Sequence, residues 1–273
     1  MSLTPGSYVG GYEIIAPLGA GGIGEVYRAR DPKLRRQIAI KVLSRAFAID
    51  PEQLAALSHP NILTIHDFGS DRGSSYVVMD LLDGLSLRDL MRKGPLPRWK
   101  AVSCAMQIAH GLEAAHARGI VHRDLKPENV FVSAANQVKI LDLGLAATDA
   151  AALAEPGYVS PEQVRGEPAD HRSDIFSFGC VLYEMLCGKR AFNGVSSTET
   201  LDAILNSEPP NLSTMSDTSE PLAAIVARCL EKSPAARFQS ASDLVEAMNA
   251  TTVTRKRSQS GLAAWIGTIA RRH

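Results

Sequence analysis

No stretch of the chain approaches the roughly 18 consecutive apolar residues that a membrane-spanning helix needs. The longest weakly polar run, Gly261 to Ala270, is too short. The opening MSLTPGSYVGG has no basic segment followed by an apolar block, so no secretory signal is expected. Cysteine is scarce: Cys104, Cys180, Cys187 and Cys229 stand in apolar, helix-like surroundings at spacings that fit no zinc or redox pattern. They read as small buried thiols of a reducing cytosol, and a cytoplasmic protein is expected. Net charge is missing as well. The 29 Lys and Arg balance 29 Asp and Glu, which is not the profile of a nucleic-acid coat or an acidic disordered chain. No repeat of solenoid or propeller period is present.

What is there is an ordinary globular balance, 45% hydrophobic and 21% charged over 273 residues, enough to bury a core without staples. The first part reads as strands. Tyr12, Ile14 and Leu18 are spaced for an extended segment, Val26 to Arg30 follows, and Gln37 to Leu43 alternates with β-branched residues. Asp50-Pro51-Glu52 reads as a helix start, and Ser58-His59-Pro60-Asn61 keeps that helix short. Strands are expected again near Leu63–Phe68 and Ser75–Leu81. From Leu87 helical spacing takes over, with a long helix from Pro97 to Arg118 stopped by Gly119. His110 and His116 in it read as packing or surface histidines. Short strands at Val130–Val132 and Val138–Leu141 are followed by helices at Arg172–Cys187, Ser197–Asn206, Leu222–Glu231 and Ala241–Asn249. A β-rich part followed by a larger helical part predicts an α+β protein of two lobes.

The chemistry-bearing residues come in order. Gly19-Ala20-Gly21-Gly22-Ile23-Gly24-Glu25-Val26 fits G-x-G-x-x-G-x-V, a run whose glycines let backbone N–H groups approach phosphates. A strand, not a helix, is expected after it, which argues against a dinucleotide-binding turn. Lys41 lies in the strand Ile38-Ala39-Ile40-Lys41, either as a solvated side chain or as a cation for bound phosphates. His122-Arg123-Asp124-Leu125-Lys126-Pro127-Glu128-Asn129 fits H-R-D-L-x-x-x-N without a mismatch. Asp142-Leu143-Gly144 begins 13 residues after Asn129, and Ser160-Pro161-Glu162 follows.

With these five motifs the chain resembles the protein kinase family, from about Tyr12 to about Ala250. More narrowly it is similar to the bacterial serine/threonine kinases of the eukaryotic type. The resemblance implies a two-lobed kinase-like fold: an N-lobe over 12–79, a hinge over 80–83, a C-lobe over 84–250, and a tail over 251–273. It implies ATP and Mg²⁺ as cofactors and proteins as substrates, with Lys126-Pro127-Glu128 favouring a protein over a small molecule. Asp124 would orient or accept the proton of the substrate hydroxyl, and Lys126 would neutralise charge on the moving phosphoryl group. Lys41 would pair with the ATP phosphates, and Asn129 and Asp142 would hold the metal ions. The adenine pocket would take Leu18, Val26 and Ala39 as roof, Phe131 as floor, Met79 as gatekeeper, and backbone groups of Asp80 and Leu82. The phosphates would lie against Gly19, Ala20, Gly21, Gly22 and Gly24. Glu162 is expected to pair with Arg237, and Asp174 to cap the catalytic loop from below.

Three departures from that pattern stand out. The Lys41–His59 interval is 18 residues, shorter than in similar kinases, and the missing part would carry most of the helix that presents a Glu to the lysine. Glu52 and Asp50 are the two candidate partners of Lys41, each with a plain alternative as a first-turn acid or N-cap. Glu155 stands where similar kinases have a threonine. The segment from Asp142 to Glu162 is short and alanine-rich, with Thr148, Tyr158 and Ser160 as its only hydroxyls, so switching by multi-site phosphorylation of this segment is not expected. Leu143 within it is a milder replacement for phenylalanine. Two readings follow: an active serine/threonine kinase, or a pseudokinase that binds nucleotide or acts as a scaffold.

The zero net charge conceals a split. Residues 251–273 hold Arg255, Lys256, Arg257, Arg271 and Arg272 and no acid, which leaves 24 bases against 29 acids in the rest. Leu262, Trp265, Ile266 and Ile269 recur at helical spacing in the same stretch. A basic amphipathic segment of this kind suits an anionic membrane surface, giving peripheral association, or a dock on the acidic kinase body; the plain alternative is a solvated end. Nothing in the composition calls for a nucleic-acid partner.

Overall fold

The computed structural model describes residues 3–21, 24–44, 51–145, 156–216 and 218–251. Its strands are β1 (Tyr8–Val9), β2 (Tyr12–Gly21), β3 (Gly24–Asp31), β4 (Arg36–Leu43), β5 (Ile65–Asp71), β6 (Ser74–Met79), β7 (Leu85–Ser86), β8 (Val130–Val132) and β9 (Val138–Ile140). Its helices are α1 (Pro51–Ala55), α2 (Leu87–Met91), α3 (Arg98–His116), α4 (Pro161–Val164), α5 (His171–Cys187), α6 (Ser197–Asn206), α7 (Leu212–Met215), α8 (Glu220–Cys229) and α9 over 241–251.

Alternation along β4 builds the small lobe. Successive strand side chains face opposite ways, so Ile38 and Ile40 share one face and Ala39 and Lys41 the other. Ile38 and Ile40 pack with Ile14, Tyr27, Ala29 and Val78 into one cluster. Ala39 joins Leu63 and Met79 in a second one, against which Val26, Leu81, Leu82 and Leu141 pack. The strands form a six-stranded antiparallel sheet in the order β1-β2-β3-β4-β6-β5. Within it Lys41 lies opposite Val26 on one side and Val77 on the other. The glycine run is the β2–β3 hairpin. Gly24 has φ +153°, and a Cβ there would lie 2.1 Å from the Val42 carbonyl oxygen, so the close approach of β3 to β4 requires glycine.

The larger lobe is organised by α5. Fourteen of its 17 residues are buried, so it is a core helix and not an amphipathic surface one. Asp170 caps its start by accepting the Arg172 N–H, and Gly188, at φ 72°, ends it. Ala105, Ile108, Ala109 and Leu112 of α3 and Leu222, Ile225 and Val226 of α8 lie in the same cluster. The small sheet β7-β8-β9 lies on this lobe, and the Leu63 N–H donates to the Ile140 carbonyl at 3.0 Å, tying the small lobe to it. α1 is only five residues long. Its Leu54, with Leu57, reaches Ile62, Ala115, Ile120 and Leu143 and anchors the small lobe to the large one. The four cysteines are free, and burial pushes the Cys180 and Cys229 thiols well above their ordinary value. No helix among the described residues is long and apolar enough to cross a membrane.

Candidate active site

The loop after α3 is held from below by one buried carboxylate. Asp174 of α5 accepts the backbone N–H groups of His122 and Arg123, each at 2.8 Å, and meets His116 Nε2 at 2.8 Å. Burial pushes the Asp174 carboxyl up, but the hydrogen bond and charge of His116 and the backbone N–H of His122 pull it further down, so it lies below its ordinary value. Arg123 sits at φ 67°, the left-handed region that costs a side-chain-bearing residue energy. The Asp174 bond and a Gln163 Nε2 donation to the Arg123 carbonyl at 2.9 Å hold that conformation. His122 accepts the Asp124 N–H at Nδ1 (3.3 Å), so Nε2 carries the proton it gives to the Leu141 carbonyl at 2.9 Å.

Asp124 is thereby fixed at its backbone, and two neighbours fix its carboxylate. Asn129 Nδ2 donates to Asp124 Oδ2 at 3.0 Å and to its carbonyl at 2.8 Å, and Lys126 Nζ lies 3.0 Å from the same Oδ2. The Leu141 N–H donates to the Asn129 carbonyl at 2.8 Å, which brings the segment carrying Asp142 alongside. Asp142, at φ 55°, accepts from Lys41 Nζ at 2.6 Å across 101 residues of chain. Lys41, Asp124, Lys126, Asn129 and Asp142 therefore form one connected group between the lobes.

The carboxylate on Lys41 is thus Asp142. Glu52 lies on the exposed side of α1, and Asp50 lies outside the described residues. The inward face of α1 is taken by Leu54, which packs with Leu57, Ile62 and Leu143. Lys41→Ala removes a side chain that is 5% exposed but leaves Asp142, at 18%, able to reach water. Its melting temperature is expected to stay within a few degrees of the parent while turnover falls about a hundredfold, a loss of transition-state charge stabilisation. A collapsed melt in a thermal scan contradicts this.

Around the proposed adenine position, Val26, Ala39, Met79 and Leu82 come together, with Leu141 added to them. Leu18 is 47% exposed at the tip side of β2, and Phe131 lies half-buried in β8, opposite Lys139 of β9. The Asp80 N–H goes to the Thr64 carbonyl at 3.2 Å, and no backbone bond takes up the Leu82 N–H among the described residues. Gly19, Ala20, Gly21 and Gly24 line the hairpin as exposed or strand-paired backbone; Gly22 lies outside the described residues.

Glu162 and Arg237 pair as expected, with NH1 to Oε1 and NH2 to Oε2 both at 2.8 Å. Glu155, like Thr148, lies outside the described residues. Tyr158 is buried; it donates to Glu184 and accepts from Arg88, which also meets Glu128. Burial pushes the Tyr158 hydroxyl far above its ordinary value, with the Glu184 charge adding to it. Sequence reasoning missed the Arg88 network and the role of His116. The signal for the latter is its position four residues after the fully buried Leu112, on the same face of α3.

A two-lobed cleft whose β-sheet lysine meets an aspartate beside an H-R-D loop anchored by its buried histidine is the architecture of a phosphotransferase. The protein kinase domain family matches residues 12–249, and the chain belongs to it. It is 37% identical over 266 residues to the serine/threonine-protein kinase PknB of Mycobacterium leprae, covering 88% of this chain and 43% of that one. It is 38% identical over 277 residues to the serine/threonine-protein kinase pkn2 of Myxococcus xanthus, covering 91% and 33%. The crystallised PknI kinase domain of Mycobacterium tuberculosis superposes with a TM-score of 0.76 at 29% identity, over 92% of this chain and all of that one. The chain spans less than half the length of the curated relatives it matches. None of these similarities favours a catalytically silent module.

Proposed function

We propose that this chain is a serine/threonine protein kinase that uses ATP and Mg²⁺. The observation that carries the reading is the connected group of Lys41, Asp142, Asn129, Asp124 and Lys126 at the junction of the two lobes. The residues fit the cofactor. A Mg²⁺ ion takes one or two carboxylates and completes its shell with phosphate and water. Asp142 would supply one carboxylate and Asn129 a neutral amide oxygen, left available because the Asn129 NH₂ is already committed to Asp124. No cluster of three or more His, Cys, Asp or Glu occurs among the described residues, so a metal held by protein alone is not the better reading. Bound ATP would supply the transferable phosphoryl group.

The chain's own residues do the rest. Lys41 holds a cation in a nearly dry position in the small lobe. Asp124 orients a substrate hydroxyl and accepts its proton, with its own carboxylate aimed by Asn129 and Lys126. Lys126 keeps a positive charge beside the acceptor, where charge develops in the transition state. The left-handed Arg123 and the Asp174 bonds keep this loop from shifting.

The test is transfer of label from γ-labelled ATP to Ser or Thr of a generic protein substrate, with and without a Mg²⁺ chelator. Label on Ser or Thr that disappears on chelation is expected. Label confined to Tyr, or transfer indifferent to the chelator, contradicts the reading.

A further inference from the structure

A groove of about 480 Å³ lies on the large lobe, between the end of α5, the 208–211 connection, the start of α7, and α8. Pro209, Ala223 and Ala227 give it apolar walls, and Glu208, Glu220 and Glu231, all exposed, give it an acidic rim. No Lys, Arg or His lines it among the described residues. The adjacent Lys232 gives its ammonium to the Ile204 carbonyl at 2.8 Å and lies over the Phe192 ring. Three carboxylates around a trough of mixed apolar and polar lining, with no basic side chain among the lining residues and Lys232 acting on Glu208 and Glu231 only from beside it, call for a ligand that is basic and apolar together.

The chain contains one such segment outside the described residues. Residues 252–273 carry Arg255, Lys256, Arg257, Arg271 and Arg272 with no acid, and Leu262, Trp265, Ile266 and Ile269 at helical spacing. The segment follows α9, whose Leu244, Val245 and Met248 share a core with Leu222, Ile225 and Val226 of α8. Its 22 residues reach about 70 Å when extended, far more than the path from one helix to its packing partner. Attachment makes the encounter intramolecular, so weak contacts suffice at the high effective concentration a short tether gives.

We propose that this groove is the intramolecular docking site of the basic amphipathic segment 252–273, apolar face into the trough and bases against Glu208, Glu220 and Glu231. An anionic lipid surface is the rival for the same segment, but it would leave the groove open and would face a body with five more acids than bases.

The test is amide hydrogen exchange on the full chain. Three forms are compared: parent, Arg255→Glu/Lys256→Glu/Arg257→Glu, and that triple combined with Glu208→Lys/Glu220→Lys/Glu231→Lys. Docking is expected to slow exchange across 208–224 by about tenfold in the parent relative to the tail triple, at every protein concentration. The combined charge swap is expected to regain most of that protection. Trp265→Ala/Ile269→Ala, which leaves every charge in place, is expected to lose it. Equal exchange in parent and tail triple overturns the proposal. So does protection that grows with protein concentration together with a dimer mass by light scattering. Protection of the segment that appears only with phosphatidylglycerol vesicles, while 208–224 stays unchanged, overturns it in favour of the membrane.

Discussion

Arg237→Ala is expected to lower the melting temperature by roughly 10 °C. The guanidinium is fully buried and forms a two-pronged pair with Glu162, with further bonds to the Glu231, Lys232 and Arg172 carbonyls. Its charge also lies 4.9 Å from the Phe176 ring centre, in the middle of the large-lobe core. Removing one member of such a pair strands the other charge and costs about 3–5 kcal/mol. At roughly 2–4 °C per kcal/mol for a chain of this size, that gives the expected shift. The double change Arg237→Met/Glu162→Met is expected to cost clearly less than the two single changes added, because it strands no charge.

The pH dependence has a definite sign. Burial pushes the Glu162 carboxyl up, but hydrogen bonds from Arg237 and Ser173 more than offset this, so its folded value lies below the ordinary one. A group depressed by folding stabilises the fold above its ordinary value, and that stability is lost as pH falls toward the folded value. Melting temperature is therefore expected to be flat near neutrality and to fall in acid, below about pH 4.5. In Arg237→Ala that acid limb is expected to be shallower.

Asp124→Ala is expected to lower phosphoryl transfer by about 10²–10⁴-fold, the range for loss of a positioned general base. Stability should change little. The Asp124 side chain is a third exposed, and its partner Lys126 keeps access to water. Asn129 retains its bond to the Asp124 carbonyl, which the substitution does not remove. Equal melts by scanning calorimetry with lost turnover fit this; equal turnover does not.

Much of the site was legible because phosphoryl transfer restricts residue types so tightly. The H-R-D-L-K-P-E-N run, the aspartate after it and the lysine in an alternating strand name both lobes and the cleft. The short Lys41–His59 interval likewise foretold the five-residue α1. The lysine's actual counter-ion was not legible, because Asp142 is 101 residues away and only tertiary packing brings it to 2.6 Å. The two-residue strands β1 and β7 and the four-residue α4 and α7 are too short to show any period. The apolar run Val138–Leu141 predicts a strand through Leu141, but β9 ends at Ile140, and the contact of Leu141 with the Ala39–Met79 cluster depends on a lobe junction that no local pattern encodes. His116 has the helical spacing of a core residue, but its bond to Asp174 spans 58 residues.

The central claim is that Lys41, Asp124 and Asp142 act as one site. Its most direct test is the single-turnover rate of phosphate transfer for Lys41→Ala, Asp124→Ala, Asp142→Ala and the triple variant, at saturating ATP and Mg²⁺. Groups that work as a unit are strongly non-additive, so the triple variant is expected within about tenfold of the slowest single one. Losses that multiply across the three sites, or a parent chain no faster than the triple variant, would contradict it.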